Sequence, residues 1–305
     1  MARRGQYSTA FGHLVARVTD YVKYRLVDLF QVNRSTQIRH VAGFALPPIL
    51  GSLRRRRVGS KGVSALGAQD KIIVEPQFRG PPESGNGGYV SGLMARHLKG
   101  AENGAEVTLR LPIPLGRELT LEARNGVVTL TEGDALIAEA RAKPLEIDVP
   151  APPDFDAVAR AAERGGSFEN SPFNDCFVCG RQRAVGTGLR VFAGAVNGRR
   201  IVAAPWIPYA ELADGTGKVD PMYHWGALDC PGAEALSLDE RRPITTGRMH
   251  GRVERPVEIG EKCRVIGWEI GRDGRKHYSG TAVFKEDGTL SAAALTTWIE
   301  IKSPS

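Results

Sequence analysis

The sequence has few features that would place it in an unusual class of protein. No apolar run approaches the ~18 residues needed to span a bilayer. No compact apolar stretch with a small-residue cleavage site follows the basic first residues, so no secretory signal is expected. Four cysteines in 305 residues, Cys176, Cys179, Cys230 and Cys263, are too few for a disulfide framework. These absences favour a globular protein of the reducing cytoplasm.

Several well-known catalytic motifs are also missing. The run Gly88-Tyr89-Val90-Ser91-Gly92 lacks the spacing of the Gly-x-Ser-x-Gly nucleophile elbow. Gly215-Thr216-Gly217 lacks the third glycine of a dinucleotide fingerprint, and neither a phosphate-binding P-loop nor a His-Glu-x-x-His pair occurs. The sequence therefore gives no support for a hydrolase or nucleotide-binding enzyme of those kinds.

The positive charge is confined to one end of the chain. Residues 1–70 hold twelve Lys and Arg against three Asp and Glu, whereas residues 71–305 hold 29 against 31. A nucleic-acid-binding protein carries its basic face on the folded domain, so no nucleic-acid partner is expected. Apolar residues recur at helical spacing over residues 11–30, before a run of four arginines, Arg54–Arg57. This extension, residues 1–70, either contacts a membrane surface or a protein through residues 1–60 or packs on its own domain.

The order of predicted elements occurs twice after the extension. In residues 71–149 a strand from Lys71 to Arg79 is followed by a helix over 88–98 and four strands at 105–113, 117–124, 126–132 and 135–147. Residues 150–175 have the composition of a linker around a short helix at Asp156–Arg164. In residues 176–305 strands at 189–195 and 200–205 precede a helix over Pro221–Leu238 and strands at 244–257, 262–271, 276–286 and 290–301. Two copies of this order predict an α+β protein in which each sheet wraps one helix.

Three short motifs carry a resemblance to a known family. Asn86-Gly87-Gly88 resembles the His-Gly-Gly box that opens the helix of acyl-CoA thioesterases of the phenylacetyl-CoA type, which have the hot-dog fold. Leu228-Asp229 resembles the Leu-Asp further along that helix. Cys176-Phe177-Val178-Cys179-Gly180, followed by Gly188-Leu189, resembles a lead-in segment of many bacterial members. The resemblance covers about residues 71–301 and implies two hot-dog units in tandem, 71–149 and 176–305.

The family spacing divides the motif between the two copies. In the family the box and the acid lie nine residues apart, and the same step from Asn86 reaches Ala95, which is no acid. The same step back from Asp229 reaches Asp220, which Pro221-Met222 follows in place of two glycines. Because family sites lie between two units, the resemblance implies one complete site, with Asn86 and Gly88 facing Asp229, and one inactive counterpart.

The resemblance implies thioester hydrolysis at that composite site. The Gly88 N–H, at a helix N-terminus, is predicted to hold the oxyanion of the tetrahedral intermediate, while Asn86 orients the loop or donates a second hydrogen bond. Asp229 is predicted to act as general base or as nucleophile through an anhydride. Substrate contacts are assigned to four neighbouring residues, Gly87, Tyr89, His224 and Trp225.

Two other functions are kept open, and no cofactor is expected beyond the CoA of the substrate. Double hot-dog hydratases or dehydratases pair Asp with His, but their box is not found here, and a non-catalytic acyl-thioester-binding protein is the third interpretation. The expected substrate is an acyl-CoA or acyl-carrier-protein thioester, and association into a homo-oligomer is compatible with the fold. Cys176 and Cys179 are interpreted as a structural turn without metal, because only Cys230, Cys263 and scattered histidines could complete a zinc site.

Overall fold

The computed structural model describes residues 69–165 and 171–301, which belong to one compact unit spanning Ser60–Ser305. The predicted helix over residues 11–30 and the arginine run Arg54–Arg57 lie outside the described residues. Within the described ranges, no helix combines the length and apolar character needed to cross a membrane.

The described chain forms eleven strands and four α-helices. The strands are β1 (Gln69–Ile73), β2 (Ala105–Leu109), β3 (Glu118–Arg124), β4 (Val127–Glu132), β5 (Ala135–Ala142), β6 (Gly194–Ala195), β7 (Ile201–Trp206), β8 (Ile244–Val253), β9 (Cys263–Asp273), β10 (Lys276–Phe284) and β11 (Leu290–Glu300). The helices are α1 (Gly87–Ala95), α2 (Phe155–Glu163), α3 (Pro221–Ala227) and α4 (Cys230–Ala235), with short 3-10 turns at Pro76–Phe78 and Ala210–Leu212.

All eleven strands belong to one antiparallel sheet with the order β1-β3-β4-β5-β2-β8-β11-β10-β9-β7-β6. If β6 is set aside, each half of the chain contributes five strands. From the outer edge of the sheet towards its centre, both halves place their strands in the order first, third, fourth, fifth and second. The halves join where β2 pairs with β8, with Ala105 opposite Gly251 and Thr108 opposite Arg248. Helix α1 packs on β2, β4 and β5, whereas α3 and α4 pack on strands of the second half. The predicted element order is therefore observed in both halves.

The hairpin between β3 and β4 forms at Asn125-Gly126, a residue pair in the sequence that predicts a two-residue turn, and the structure confirms this turn. Asn125 and Gly126 both have positive φ, 51° and 76°, as a two-residue turn of this kind requires. Arg124 then pairs with Val127, which sets the register of both strands.

Three predicted elements differ from the structure. The strand predicted from Lys71 to Arg79 ends at Ile73, and Pro76–Phe78 forms a 3-10 turn, because Pro76 has no N–H for strand pairing. The strand predicted over residues 189–195 is reduced to Gly194–Ala195, because Arg190 adopts a left-handed conformation with φ 57°. The single helix predicted from Pro221 to Leu238 is broken after Ala227 and resumes at Cys230. Pro231 has no N–H to continue the helical ladder, so the chain turns at Asp229.

Helices α1 and α3 lie against each other in antiparallel directions, and glycine permits the close approach. A Cβ on Gly92 would lie 2.6 Å from the Met222 Cα, and one on Gly88 would lie 2.4 Å from the Trp225 carbonyl oxygen. Neither backbone could move away without shifting its helix. This packing places the break between α3 and α4 beside the start of α1.

Candidate active site

Asn86, Gly88 and Asp229, predicted from opposite halves of the sequence, meet in the fold. Asn86 precedes α1 and caps it, since its Oδ1 accepts a hydrogen bond of 2.8 Å from the Tyr89 N–H. The cap fixes the amide so that Nδ2 donates to Asp229 Oδ2 at 2.7 Å. The Gly88 N–H donates to the same oxygen at 3.2 Å. The acid is thereby held at the N-terminus of a helix from the other half.

Thr246, near the start of β8, completes the contacts of the carboxylate. Its hydroxyl donates to Asp229 Oδ1 at 3.1 Å, so both carboxylate oxygens accept hydrogen bonds. Thr246 was not predicted, because a threonine in a strand has no sequence signal of its own. It enters the site only through the sheet that brings β8 beside the α3–α4 break.

Burial raises the pKa of Asp229 to about 6, since the side chain is almost entirely removed from water. The hydrogen bonds from Gly88, Thr246 and Asn86 favour the charged form and oppose this shift. Near neutral pH the carboxylate is therefore ionised but more basic than an ordinary aspartate. These are the properties that a general base or carboxylate nucleophile needs.

Glycine at position 88 is required by this arrangement. A Cβ there would lie 2.6 Å from the Asp229 Cβ as well as against the Trp225 carbonyl oxygen. Gly87 differs, because the nearest atoms to its Cβ would be side-chain atoms of Leu109 and Thr246, 3.0 Å away. The Gly87 N–H has no hydrogen-bond partner among the described residues. One N–H at the helix start is thus committed to Asp229 and its neighbour is available.

A cavity of about 1120 Å³ opens beside the carboxylate. Its lining is mainly apolar and comes from both halves of the sheet, including Ile113 and Leu109 on one side and Ile244 and Trp298 on the other. Asn86, Gly87 and Asp229 lie on its wall. An apolar cavity with a few convergent polar groups is typical of a small-molecule site, and this one exceeds the common upper volume of about 1,000 Å³.

Three of the four residues assigned to substrate contact do not line this cavity. Gly87 does, whereas Tyr89, His224 and Trp225 lie elsewhere. Tyr89 stacks on Phe78 at a ring-centroid distance of 4.1 Å. Trp225 covers Gly251 and borders a second, smaller cavity. Tyr89 follows the Asn86-Gly87-Gly88 motif, and His224 and Trp225 precede Asp229 in sequence, but these three side chains are buried in the core.

His224 is a neutral core residue in this fold. Its Nε2 accepts a hydrogen bond of 3.1 Å from the Val257 N–H, so Nδ1 carries the proton. Complete burial lowers the pKa of His224 to about 4. Within the described residues no histidine lines the larger cavity. Among the described residues, Asp229 therefore has no histidine beside it to form the pair of the hydratase alternative.

The other end of the α1–α3 pair has the same backbone framework but no acid at the position that corresponds to Asp229. Asp220 caps α3 by accepting from the Met222 N–H at 3.1 Å, as Asn86 caps α1. Ala95 stands at the position that corresponds to Asp229, and Arg96 forms an ion pair of 3.3 Å with Asp220. The cavity there, bordered by Ala95 and Trp225, measures only about 130 Å³. Two equivalent places in the fold thus differ almost ninefold in open volume.

No protein-family model and no curated protein matches the sequence. Solved structures of similar fold include a protein described as a thioesterase II from Thermobifida fusca YX, 13% identical, with a TM-score of 0.51 over 77% of this chain and 94% of that one. The tesB protein of Mycobacterium avium subspecies paratuberculosis is 12% identical, with a TM-score of 0.50 over 77% of this chain and 93% of that one. At these identities the likeness establishes the fold alone.

Shorter matches have lower scores, from which nothing further is concluded. The PaaI protein of the Escherichia coli phenylacetic acid degradation operon is 10% identical, covers 40% of this chain and 88% of its own, and has a TM-score of 0.36. The chain spans 55% of another thioesterase superfamily structure, with a TM-score of 0.34. Matches with TM-scores of 0.50 to 0.51 include proteins named as tesB or as thioesterases. The resemblance to hot-dog proteins of the thioesterase group is confirmed at the level of the fold.

Proposed function

We propose that the chain hydrolyses an acyl-CoA or acyl-carrier-protein thioester at a single composite site between two tandem hot-dog units. The observation that carries the proposal is the meeting of Asn86 and Gly88 with Asp229 on the wall of the large cavity. These groups come from different halves with the same strand order. The inactive counterpart at the other end is the expected remainder of a duplicated unit.

The carboxylate supplies the reaction's acid–base or nucleophilic group. As a general base, Asp229 would take a proton from a water molecule that attacks the thioester carbonyl carbon. As a nucleophile, it would form an anhydride with the acyl group and release the thiolate, and water would then hydrolyse the anhydride. Both routes need a carboxylate that is ionised and fixed in position. The hydrogen bonds donated to its two oxygens favour the ionised form and hold the side chain in place.

The helix N-terminus supplies stabilisation for the oxyanion. Since the Gly88 N–H is engaged with Asp229, a substrate oxygen would either share that donor or accept from the Gly87 N–H beside it. Preorganised N–H donors of this kind contribute ~2.7–4 kcal/mol each to transition-state stabilisation. Asn86 serves as a positioning residue through its short contact with Asp229 Oδ2.

The cavity favours an acyl group of substantial size. Its apolar lining, with Ile113, Ile244 and Trp298 around the carboxylate, is suited to a hydrocarbon or aromatic acyl chain. Hydration of an enoyl thioester is less well supported, because no described histidine faces Asp229 across the cavity.

The test is thiol release from short, medium, long and aromatic acyl-CoAs by the wild type and by Asp229→Asn. We expect the wild type to release CoA from at least one class and the variant to bind the same substrate without turnover. The asparagine Oδ1 can still accept from Asn86 and Gly88, so the variant should remain folded. Binding without turnover by the wild type would instead indicate an acyl-thioester carrier or sensor. Turnover by Asp229→Asn at the wild-type rate would refute the assignment of the acid.

A further inference from the structure

Three cysteine thiols meet on the wall of the large cavity. The Sγ atoms of Cys176, Cys179 and Cys230 all lie within 4.8 Å of one another, and those of Cys176 and Cys230 are 3.7 Å apart. None of the three forms a disulfide. In the sequence, Cys230, Cys263 and scattered histidines are the residues that could complete a site with Cys176 and Cys179. The break between α3 and α4 brings Cys230 to the pair.

The turn that carries Cys176 and Cys179 is shaped around a sulfur atom. The Val178 N–H donates to Cys176 Sγ at 3.4 Å, and the Gly180 N–H donates to the Cys176 carbonyl oxygen at 2.9 Å. A Cβ on Gly180 would lie 2.5 Å from that oxygen, so glycine is needed to close the turn. Backbone N–H groups directed at sulfur stabilise a thiolate. The turn therefore favours the form of cysteine that binds metals.

The spacing of the sulfurs suits a tetrahedral thiolate site better than a disulfide. With Zn–S bonds of about 2.3 Å, two thiolates of a tetrahedron lie about 3.8 Å apart. The 3.7 Å between Cys176 and Cys230 already matches this edge. A disulfide needs about 2.05 Å between two sulfurs and would leave the third thiol unused.

We propose that Cys176, Cys179 and Cys230 bind a thiophilic metal ion, Zn²⁺, with a fourth coordination position open to the cavity. All three residues line the cavity, so water or a ligand donor could reach the fourth position. Binding replaces the thiol protons, which pass to solvent, and leaves three Zn–S bonds. A site with three protein ligands and one exchangeable position is the pattern of reactive zinc centres. The proposal does not depend on the proposed thioesterase activity.

The test is a titration of the reduced, metal-free full-length chain with Co²⁺ and then Zn²⁺ under anaerobic conditions. We expect thiolate-to-cobalt charge-transfer bands that saturate at one Co²⁺ per chain, with an intensity that corresponds to three thiolates, and that Zn²⁺ removes. Because the wild type alone gives this result, it does not depend on whether a variant folds. The absence of such bands with excess Co²⁺ would overturn the proposal.

Matched variants locate the ion. Cys230→Ser should weaken Co²⁺ binding by at least about tenfold, the lower end of the loss typical for a disturbed metal site. Cys263→Ser is the control, because Cys263 is also a buried cysteine but lies outside the cluster, where its Sγ contacts the Glu261 carbonyl oxygen. Equal Co²⁺ affinity in Cys230→Ser and the wild type would overturn the assignment, as would a loss confined to Cys263→Ser.

Discussion

The two ends of the α1–α3 pair have the same backbone framework but different side chains. At one end Asn86 caps the helix and Asp229 reaches its N-terminus, beside a cavity of about 1120 Å³. At the other, Asp220 caps the helix, Met222 stands in place of Gly88 and Ala95 in place of Asp229, and about 130 Å³ remains open. The difference teaches that the two halves share helix capping and helix packing, while only one end has an acid at the position of Asp229 and a large cavity beside it.

The helix packing shows why a few residues distinguish the two ends of the α1–α3 pair. Only glycine at position 88 lets Asp229 lie against the start of α1, since a Cβ at that position would collide with Asp229. Met222 stands at the corresponding position of the other end, where its backbone packs against Gly92. Asp220, the cap of α3, forms an ion pair with Arg96.

The largest effect is expected when the acids at the two ends are compared. Asp229→Asn should lower kcat by ~10²–10⁴-fold, the range for loss of a general base. Asp220→Asn changes the carboxylate at the other end, which stands at the capping position of Asn86 rather than that of Asp229, and should leave kcat within about threefold of the wild type, because it only weakens a cap. Steady-state kinetics on one substrate checks both. A larger loss in Asp220→Asn would reverse the assignment of the two ends.

Gly88→Ala should disturb the site by steric collision. We expect a loss of ~1–3 kcal/mol in the free energy of unfolding, as for overpacked cores, together with loss of turnover. The control is Gly271→Ala, since a Cβ at Gly271 would meet nothing within 4 Å. Chemical denaturation of both variants gives the comparison. A Gly88→Ala protein as stable and active as Gly271→Ala would show that the acid does not lie against the helix start.

The pH dependence of kcat/KM should follow the protonation of Asp229. Because burial raises its pKa to about 6, kcat/KM should fall about tenfold per pH unit below that value as the carboxylate is protonated. The raised pKa has the opposite effect on stability: the contribution of Asp229 is fully favourable below its unfolded pKa of about 3.9 and is lost as pH rises through 6. Asp229→Asn should therefore unfold at a Tm no lower than that of the wild type at pH 7. Pre-steady-state or steady-state rates between pH 5 and 8, with parallel thermal melts, measure both effects; a kcat/KM independent of pH in this range would contradict them.

Thr246→Val should shift the same profile. It removes the hydroxyl that both donates to Asp229 Oδ1 and lowers the pKa of the acid, so that pKa should rise further. The midpoint of kcat/KM should then move above the wild-type value of about 6. Thr246→Ser keeps the hydroxyl and should retain the wild-type midpoint. Identical profiles for the Val and Ser variants would remove Thr246 from the site.

The smallest effect is expected at the Asp220 end of the α1–α3 pair. Arg96→Ala breaks the partly exposed ion pair with Asp220 and should cost less than about 1 kcal/mol of stability, with no change in turnover. Denaturation curves and steady-state rates test this. A clear loss of turnover would show that the second end takes part in the reaction.

The sequence predicted the elements better than the side chains around the site. Periodicity and the Asn125-Gly126 turn located the strands and helix α1 to within a few residues, because these are local properties. The joining of Asn86 and Asp229 followed from the divided motif and the duplicated order. The role of Thr246 and the approach of Cys230 to Cys176 depend on how the helix breaks at Asp229 and on the pairing of distant strands. Proximity in sequence to the two motifs also assigned Tyr89, His224 and Trp225 to the substrate, although the helix–helix and helix–sheet contacts of this fold bury them in the core.

The most direct test of the single composite site is the stoichiometry of substrate binding. Calorimetric titration of Asp229→Asn with an acyl-CoA that the wild type hydrolyses would count the sites without turnover. We predict one molecule bound per chain, with no change in that number in the double variant that also carries Asp220→Asn. Two molecules per chain would contradict the account, because both ends of the α1–α3 pair would then be binding sites.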